Sequence, residues 1–365
     1  MTRIDLGVFV VGWAIGWALL WRGRPLPASE TTPSAPAPRA PIAVIVPARD
    51  EAVALATLLP VIARQLRAGD ELVVVDDQST DDTASVATHH GATVVVPPAL
   101  PEGWLGKPNA CAAGVGATTA PVLLFVDADV EPAADLLDRL APVLARQRHA
   151  IVSVQPWHRT QRLAEQASIL CNVAALMGSG AFTIAGDRVR ATVAFGPVLA
   201  IDRDVYLRAG GHEAVRSMHT EDIGLARAVG HVRLFTGRPD TSFRMYPDGF
   251  RQTLDGWTRS IATGARSTRW WLAMATACWM AAIAGGWLAG GWPWSAPLAS
   301  ATIYAASALQ VWVLGRRAGS IRLVTALLFP LAVAVFVVIV ARSAFALLFR
   351  RDVEWKGRRV AARPS

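Results

Sequence analysis

Hydrophobic and polar positions divide this chain into two textures. Residues 4–21 run almost without charge, Asp5 excepted, and further apolar blocks lie at 270–291, 296–314 and 321–349. Each approaches or exceeds the roughly 20 residues that take a helix across a bilayer. Between them, short apolar runs alternate with helical periodicity. Ile42–Val46 reads as a buried strand ending at Pro47, and Glu51–Leu66 as a helix with Val53, Leu55, Leu58, Leu59 and Ile62 at helical spacing. Glu71–Val75, Thr93–Val96, Pro121–Val126 and Gly196–Ile201 read as further strands. Strands that are apolar throughout, alternating with helices, predict an α/β domain on a mostly parallel, doubly wound sheet. Such sheets bind ligands at the carboxyl ends of their strands.

The same texture sets the expected organisation: a membrane helix at 1–22, a Pro/Ala-rich linker at 23–41, an α/β domain at 42–269, a membrane domain at 270–349 and a basic tail at 350–365. The linker composition predicts extended chain with no core of its own. A cleaved signal peptide does not suit the first block, whose start is poor in charge and whose basic residues follow it. Leu163–Phe182 is moderately apolar and suits either a crossing or, better, an amphipathic segment in the membrane interface. The block at 321–349 contains Pro330 and is basic on both flanks. It is expected to bend back or lie partly in the interface, with a plain crossing as the alternative.

Composition follows this division. Apolar residues make up 53% of the chain, and the mean hydropathy is +0.34. The formal net charge is +8, but the basic residues border the apolar blocks: Arg22 and Arg24, Arg259, Arg266 and Arg269, Arg316, Arg317 and Arg322, and Arg350, Arg351, Lys356, Arg358 and Arg359. That distribution predicts a multi-pass cell (plasma) membrane protein with the lipid bilayer as partner and the α/β domain on the cytoplasmic side. No basic stripe with interleaved aromatics points to nucleic acid. Cys111, Cys171 and Cys278 are isolated, with neither metal-ligand nor disulfide spacing, and are expected to be small buried residues.

Candidate chemistry gathers at the strand ends. Asp76-Asp77 closes the second strand, Asp127-Ala-Asp129 the fourth, and Thr220-Glu221-Asp222 stands at a helix start. Ser79 and Thr80 before Asp81-Asp82 read as the cap of another helix. Two acids one residue apart after a strand suit a divalent cation on a diphosphate. They also suit capping the segment at Glu131-Pro132, and the neighbouring Asp76-Asp77 tips the reading towards a site. Asp222 is placed to take a proton from an acceptor hydroxyl, although the helix dipole favours an acid there in any case. Lys107 and Asn109, after a Gly-Trp-Leu-Gly loop, suit phosphate or nucleotide contacts, with a solvated lysine as the alternative. His219, beside the acidic pair, is a candidate for the acceptor side.

Taken in order, Ile42–Glu51 (IAVIVPARDE), Val74–Thr83 (VVDDQSTDDT), Asp127–Asp129 and Thr220–Asp222 resemble the motifs of the inverting family 2 glycosyltransferases of GT-A fold. The loop Leu100–Lys107 (LPEGWLGK), Phe243–Tyr246 (FRMY) with Gly256–Arg259 (GWTR), and Val353–Arg358 (VEWKGR) resemble the subgroup that glycosylates membrane lipids, the 4,4′-diaponeurosporenoate glycosyltransferases and hopanoid-associated relatives. The resemblance implies a Rossmann-like GT-A domain with transmembrane helices at both ends and a nucleotide-sugar donor of the UDP-hexose type. It implies that Asp76 or Asp77 contacts the nucleotide base, that Asp127 contacts the nucleotide, that Asp129 ligates Mg or Mn and that Asp222 is the base. Pro47, Arg49, Glu51, Lys107 and Asn109 join the donor site on the same basis, and Glu221, His219 and Trp257 the acceptor side. Processive polysaccharide synthases carry Gln-x-x-Arg-Trp; here Gln252, Trp257 and Arg259 stand in another arrangement, leaving Arg259 to meet the diphosphate and favouring a single transfer. The expected activity is sugar transfer with inversion to a lipid such as a carotenoid acid or hopanoid. A processive synthase and a non-catalytic nucleotide-binding membrane scaffold are the alternatives.

Overall fold

A computed structural model describes residues 3–28, 38–191, 193–264, 267–286, 297–349, 353–355 and 358–360. Most of the linker at 29–37, the turn at 291–295 and most of the basic tail lie outside the described residues. Along the chain come α1 (Arg3–Leu19), β1 (Ile42–Ala48), α2 (Ala52–Ala63), β2 (Glu71–Asp76), α3 (Thr83–His89), β3 (Thr93–Val95), α4 (Gly106–Gly116), β4 (Val122–Val126), β5 (Val130–Glu131) and α5 (Leu136–Arg146). There follow β6 (Ile151–Gln155), β7 (Trp157–His158), α6 (Ala167–Ser179), β8 (Val198–Asp202), α7 (Arg203–Arg208), α8 (Glu221–Val229), β9 (Val232–Thr236) and β10 (Ser242–Phe243). The last elements are α9 (Phe250–Gly264), α10 (Trp270–Gly285), α11 (Pro297–Ala318), α12 (Leu323–Leu327), α13 (Phe329–Phe349), β11 (Val353–Trp355) and β12 (Arg358–Val360). Contacts gather them into an α/β unit, residues 24–157 with 191–244, and a helical unit, residues 1–23, 158–190 and 245–365. Segments 158–190 and 245–269, expected in the α/β domain, belong to the helical unit.

In the α/β unit a seven-stranded sheet has the order β3-β2-β1-β4-β8-β6-β9. β1, β2, β3 and β4 are mutually parallel, and β6 is parallel to β9; β8 runs antiparallel to both of its neighbours. Both faces are covered. Ile42, Val44 and Val46 pack with Leu55, Leu58, Leu59 and Ile62 of α2 and Leu136, Leu137, Leu140 and Leu144 of α5. Ala43 and Ile45 point the other way, to Ala110, Cys111 and Val115 of α4 and to Leu225 and Ala226 of α8. This double burial is why these strands are apolar at every position rather than at alternate ones. Val53 does not share in it; its side chain is 88% exposed, outside the apolar stripe of α2.

β1 is the switch point of the sheet, with β2 on one side and β4 on the other. It runs one residue past Pro47, to Ala48. Its pairing with β4 reaches only Ile45↔Phe125, so the missing Pro47 N–H breaks no ladder bond on that side. The loops after β1 and β2 are laced together. Asp50 accepts from Thr80 N at 2.7 Å, Asp50 N donates to Ser79 Oγ at 3.0 Å, and Ala52 N donates to Asp81 Oδ2 at 3.1 Å. These bonds occupy Ser79, Thr80 and Asp81, so α3 starts later than expected, at Thr83, with Asp82 at its N-cap. Both ends of the linker are anchored: Thr236 N donates to Arg24 O and Leu26 N to Thr236 O at the end of β9, and Leu26 is buried in the core. Arg39 pairs with Asp70 at 2.5 Å.

In the helical unit α1 packs along α10, where Gly12 and Gly16 leave room for Ala282 and Trp279. Buried Gln310 of α11 joins both helices, accepting from Trp279 Nε1 at 2.9 Å and donating to Trp13 O at 2.7 Å. α6 is neither exposed nor long; its 13 residues are buried along most of the helix and contact α9, α10, α11 and α13. The turn after α11 is held by side chains, with Thr160 N donating to Ser320 Oγ at 2.7 Å and Arg322 N to Gln166 Oε1 at 2.9 Å. α13 lies on α9, where Ile339, Cys171 and Trp257 form a small core, Ser343 Oγ donates to Thr258 O at 2.8 Å and Arg342 pairs with Asp255 at 2.6 Å.

Among the described residues two helices, Pro297–Ala318 and Phe329–Leu348, are long and apolar enough to cross a membrane. α10 has 16 residues, about 24 Å at 1.5 Å per residue. Pro330 falls in the first turn of α13, where a missing N–H interrupts nothing. Cys111 and Cys171 are buried, whereas Cys278, against expectation, is exposed.

Candidate active site

The acidic segments of the α/β unit converge at the carboxyl ends of β1, β2 and β4 and at the start of α8. At the centre is Lys107, in the first turn of α4. Its Nζ lies 2.7 Å from Asp127 Oδ1 and 3.0 Å from Glu221 Oε1, joining the end of β4 to the start of α8. Asp127 is fixed by its own N–H, which donates to Pro197 O at 2.9 Å. Desolvation works to lower the pKa of Lys107, but Asp127 and Glu221 outweigh it and hold the ammonium well above its ordinary value. Lys107, expected either at phosphate or nucleotide contacts or as a solvated lysine, is here shared between two carboxylates.

Asp222 stands beside this pair. Its Oδ1 accepts from Ile223 N at 2.8 Å, while Oδ2 faces Gly196 in the loop before β8. Surrounding protein, and then the charge of Glu221, push its carboxyl up to about 7, against the opposing pull of Lys107. Thr220, the N-cap residue, makes no side-chain cap bond. Gly196 is the residue that sequence reasoning missed as a site member. A methyl group there would lie 3.3 Å from Asp222 Oδ2 and 3.4 Å from Lys107 Nζ, so its bare backbone leaves these two side chains room to lie against it. The one available signal was a Gly-Pro step ahead of a strand.

At the end of β2, Asp76 and Asp77 are both buried. Asp76 Oδ1 accepts from Ser79 N at 2.9 Å, Asp77 N donates to Ala48 O, and Arg49 lies 3.7 Å from Asp77 Oδ2. Asp129 is exposed to solvent, with protein packed around its carboxyl. That surrounding, with the charges of Asp127 and Glu51, raises its carboxyl far above the ordinary range. Glu51 is oriented through its N–H to buried Thr83 Oγ1 at 2.9 Å. Asn109 is buried one turn inside α4, and its Nδ2 has no partner among the described residues. Pro47 contributes its place in β1 rather than a polar group.

His219 is exposed on the turn before α8. Trp257 and Arg259 lie on α9 in the helical unit, where the Trp257 ring is buried against Cys171 and Ile339 as a packing residue. Among the described residues no three His, Cys, Asp or Glu side chains form a ready cation cage. A lone Asp129 nevertheless suits Mg or Mn, which commonly take one or two carboxylates and complete their shell with substrate phosphates and water.

Residues 43–188 match the model of glycosyl transferase family 2. The chain is also 32% identical over 328 residues to a 4,4'-diaponeurosporenoate glycosyltransferase of Staphylococcus aureus (strain MRSA252), covering 87% of each protein. The chain belongs to glycosyl transferase family 2. A second 4,4'-diaponeurosporenoate glycosyltransferase, from Staphylococcus haemolyticus (strain JCSC1435), is 34% identical over 248 residues, 66% of each protein. The fold matches the mannosyltransferase PcManGT from Pyrobaculum calidifontis, solved in complex with GDP-Man and Mn2+, with a TM-score of 0.55 and 20% identity over 95% of this chain and 96% of that one. The mostly parallel sheet of this glycosyltransferase is thus of GT-A type.

Proposed function

We propose that this glycosyltransferase moves a hexose with inversion from a nucleotide-sugar donor, of the UDP type, to the hydroxyl or carboxyl group of a membrane lipid. The observation that carries the reading is the meeting of Lys107, Asp127, Glu221 and Asp222 at the switch point of the sheet, with Asp76, Asp77 and Asp129 at the adjoining strand ends. Asp76 or Asp77 receives the base and Asp127 the nucleotide, with Pro47, Arg49, Glu51 and Asn109 shaping that pocket. Asp129 would hold Mg or Mn with the diphosphate oxygens, and the ion would neutralise charge on the leaving diphosphate. The acceptor oxygen attacks the anomeric carbon from the side opposite the diphosphate, which inverts it. Asp222 takes the proton of a hydroxyl acceptor or orients an already ionised one. The names of the Staphylococcus relatives support a lipid such as a carotenoid acid; a hopanoid offers an alternative apolar acceptor.

Arg22, Arg24, Arg316 and Arg317 support a multi-pass arrangement in the cell membrane with the α/β unit in the cytoplasm. Arg342, paired with Asp255 on α9, supports α13 turning back or lying in the interface, with the tail on the cytoplasmic face. Periplasmic activity of a reporter fused to the C-terminus would exclude that arrangement. The function itself is tested by mass spectrometry of lipids from cells with and without the protein. A hexose-mass shift that disappears with Asp222→Asn is expected, and an unchanged lipid profile counts against sugar transfer to lipid.

A further inference from the structure

We infer that the helical unit carries a site for the headgroup phosphate of an anionic bilayer phospholipid, formed by Arg162 and Arg322 on two segments tied side by side. The inference rests on the membrane placement proposed above and is independent of the sugar and of the acceptor.

Three observations carry it. First, the two arginines are brought together by the backbone they hold. Arg322 Nη2 donates to Gln161 O at 2.7 Å, and Arg162 Nη1 donates to Pro247 O at 3.0 Å. Gln166 closes the same corner, its Oε1 accepting from Arg322 N at 2.9 Å and from Thr325 Oγ1 at 2.8 Å. Stretches far apart in sequence thus meet at one corner of the helical unit. Second, the charge at that corner is uncommitted. Both arginines are exposed, both bond neutral carbonyls, and among the described residues neither forms an ion pair. Arg39, Arg67 and Arg139 of the α/β unit, by contrast, each meet an aspartate. The neighbouring acids are engaged elsewhere. Asp248 Oδ2 accepts from Gln252 Nε2 at 3.0 Å, and Asp255 lies 2.6 Å from Arg342 and 3.8 Å from Arg251. Third, apolar side chains stand exposed directly beside the cations. Leu163 after Arg162 is 66% exposed, Leu323 after Arg322 is 61% exposed, and Phe250 before Arg251 is 45% exposed. The corner also holds the turn between Pro297–Ala318 and Phe329–Leu348, the two helices long and apolar enough to cross a membrane.

These features select a lipid headgroup. Exposed leucines and phenylalanine beside arginine suit the boundary where acyl chains meet headgroups, with the guanidinium turned to the polar side. A soluble phosphate ion would match the arginines and leave the apolar side chains in water. Each guanidinium is a planar fork of N–H donors that has spent one on a carbonyl, and the rest suits charge-assisted bonds to phosphate oxygens. A zwitterionic headgroup brings its own ammonium to offset the phosphate, whereas an anionic one keeps its net charge. One arginine near an anionic membrane surface is worth about fivefold in affinity, and the pair about 25-fold.

The test reconstitutes the full chain in phosphatidylcholine vesicles with a trace of photoactivatable phospholipid, either phosphatidylglycerol or phosphatidylcholine, carrying a diazirine near the glycerol. Crosslinked peptides are mapped by mass spectrometry. The phosphatidylglycerol probe is expected to label residues 161–166, 247–251 and 322–328 at least about fivefold more than the phosphatidylcholine probe. The excess should vanish with Arg162→Gln plus Arg322→Gln, which keeps a side-chain donor but removes the charge, and persist with lysine at both positions. Equal labelling by the two probes in the unaltered chain overturns the inference, and needs no variant to fold. An excess undiminished in the double glutamine variant overturns it as well. So does suppression of labelling by millimolar inorganic phosphate beyond that caused by sodium chloride at matched ionic strength, which would make free phosphate the occupant. A chain that fails to float with the vesicles overturns the membrane placement, and the inference with it.

Discussion

Replacing Gly196 by alanine separates a site residue from a merely structural glycine. Its backbone is not in the left-handed region, so alanine meets no conformational obstacle there. The added methyl would lie 3.3 Å from Asp222 Oδ2, 3.6 Å from Asp222 Cβ and 3.4 Å from Lys107 Nζ. Relaxed contacts lie at about 3.5–4.0 Å, so both side chains must retreat by a few tenths of an ångström. Neither is free to do so at will, since Lys107 is held by two carboxylates and Asp222 by the first turn of α8. The strain is at the low end of overpacking, about 1 kcal/mol, or roughly 2–4 °C in melting temperature for a domain of this size. Transfer is expected to suffer as well, because the side chains that must retreat are Asp222, the proposed base, and Lys107. A misplacement of about 1 Å costs about 10²-fold in rate, so a retreat of a few tenths of an ångström costs roughly fourfold, about 0.8 kcal/mol in the barrier. The assay is kcat/KM for sugar transfer to lipid, alongside donor affinity and melting temperature. Transfer should fall roughly fourfold with donor affinity little changed. A folded variant with undiminished transfer would refute the assignment of Gly196 to the site.

Asp222, with its carboxyl pushed up to about 7, is protonated and unable to accept a proton below that pH; kcat/KM for a hydroxyl acceptor should therefore fall about tenfold per pH unit on the acid side. Glu221→Gln removes a charge that raises Asp222 and should move this limb to lower pH; a profile that stays flat well below 7 contradicts the assignment. Chelation should abolish transfer and added Mg or Mn restore it, whereas full activity in excess chelator would remove Asp129 from metal binding. Gln310→Leu deprives Trp279 and Trp13 of their shared partner and should lower the unfolding temperature in detergent by an amount matching about 1 kcal/mol; an unchanged midpoint would show that clasp to be idle.

The α/β unit was legible because its strands face two apolar layers. Ile42, Val44 and Val46 serve one core while Ala43 and Ile45 serve the other, and that leaves a continuous apolar run in the text. The strand-end acids were legible for a related reason, since a carboxylate directly after such a run has no apolar role. α6 was harder. Its buried Asn172 is satisfied by Ala318 O, far along the chain, so no local pattern announces a core helix. Lys107 was legible as a cation at a helix start, but its sharing between Asp127 and Glu221 exists only once the sheet has brought β4 and α8 together. Gly196 left almost no trace, because a site member that acts by lacking a side chain carries no chemistry of its own. Ser79 and Thr80 imitated a helix cap because hydroxyls that bond a neighbouring loop have the same composition as hydroxyls that bond a helix.

The short stretch Arg24–Leu26 has a practical consequence for anyone wishing to free the α/β unit from its helices. A sheet open at both margins invites pairing with another chain. Here one margin, β3, is only three residues long, and the other, β9, has its last residue occupied on both backbone groups by Arg24 and Leu26. The piece of chain that looks like a dispensable tether is therefore a guard rail against self-association. A version trimmed back to the first strand would lose it together with the buried Leu26, and would tend to stick to its own copies for reasons unrelated to the active site.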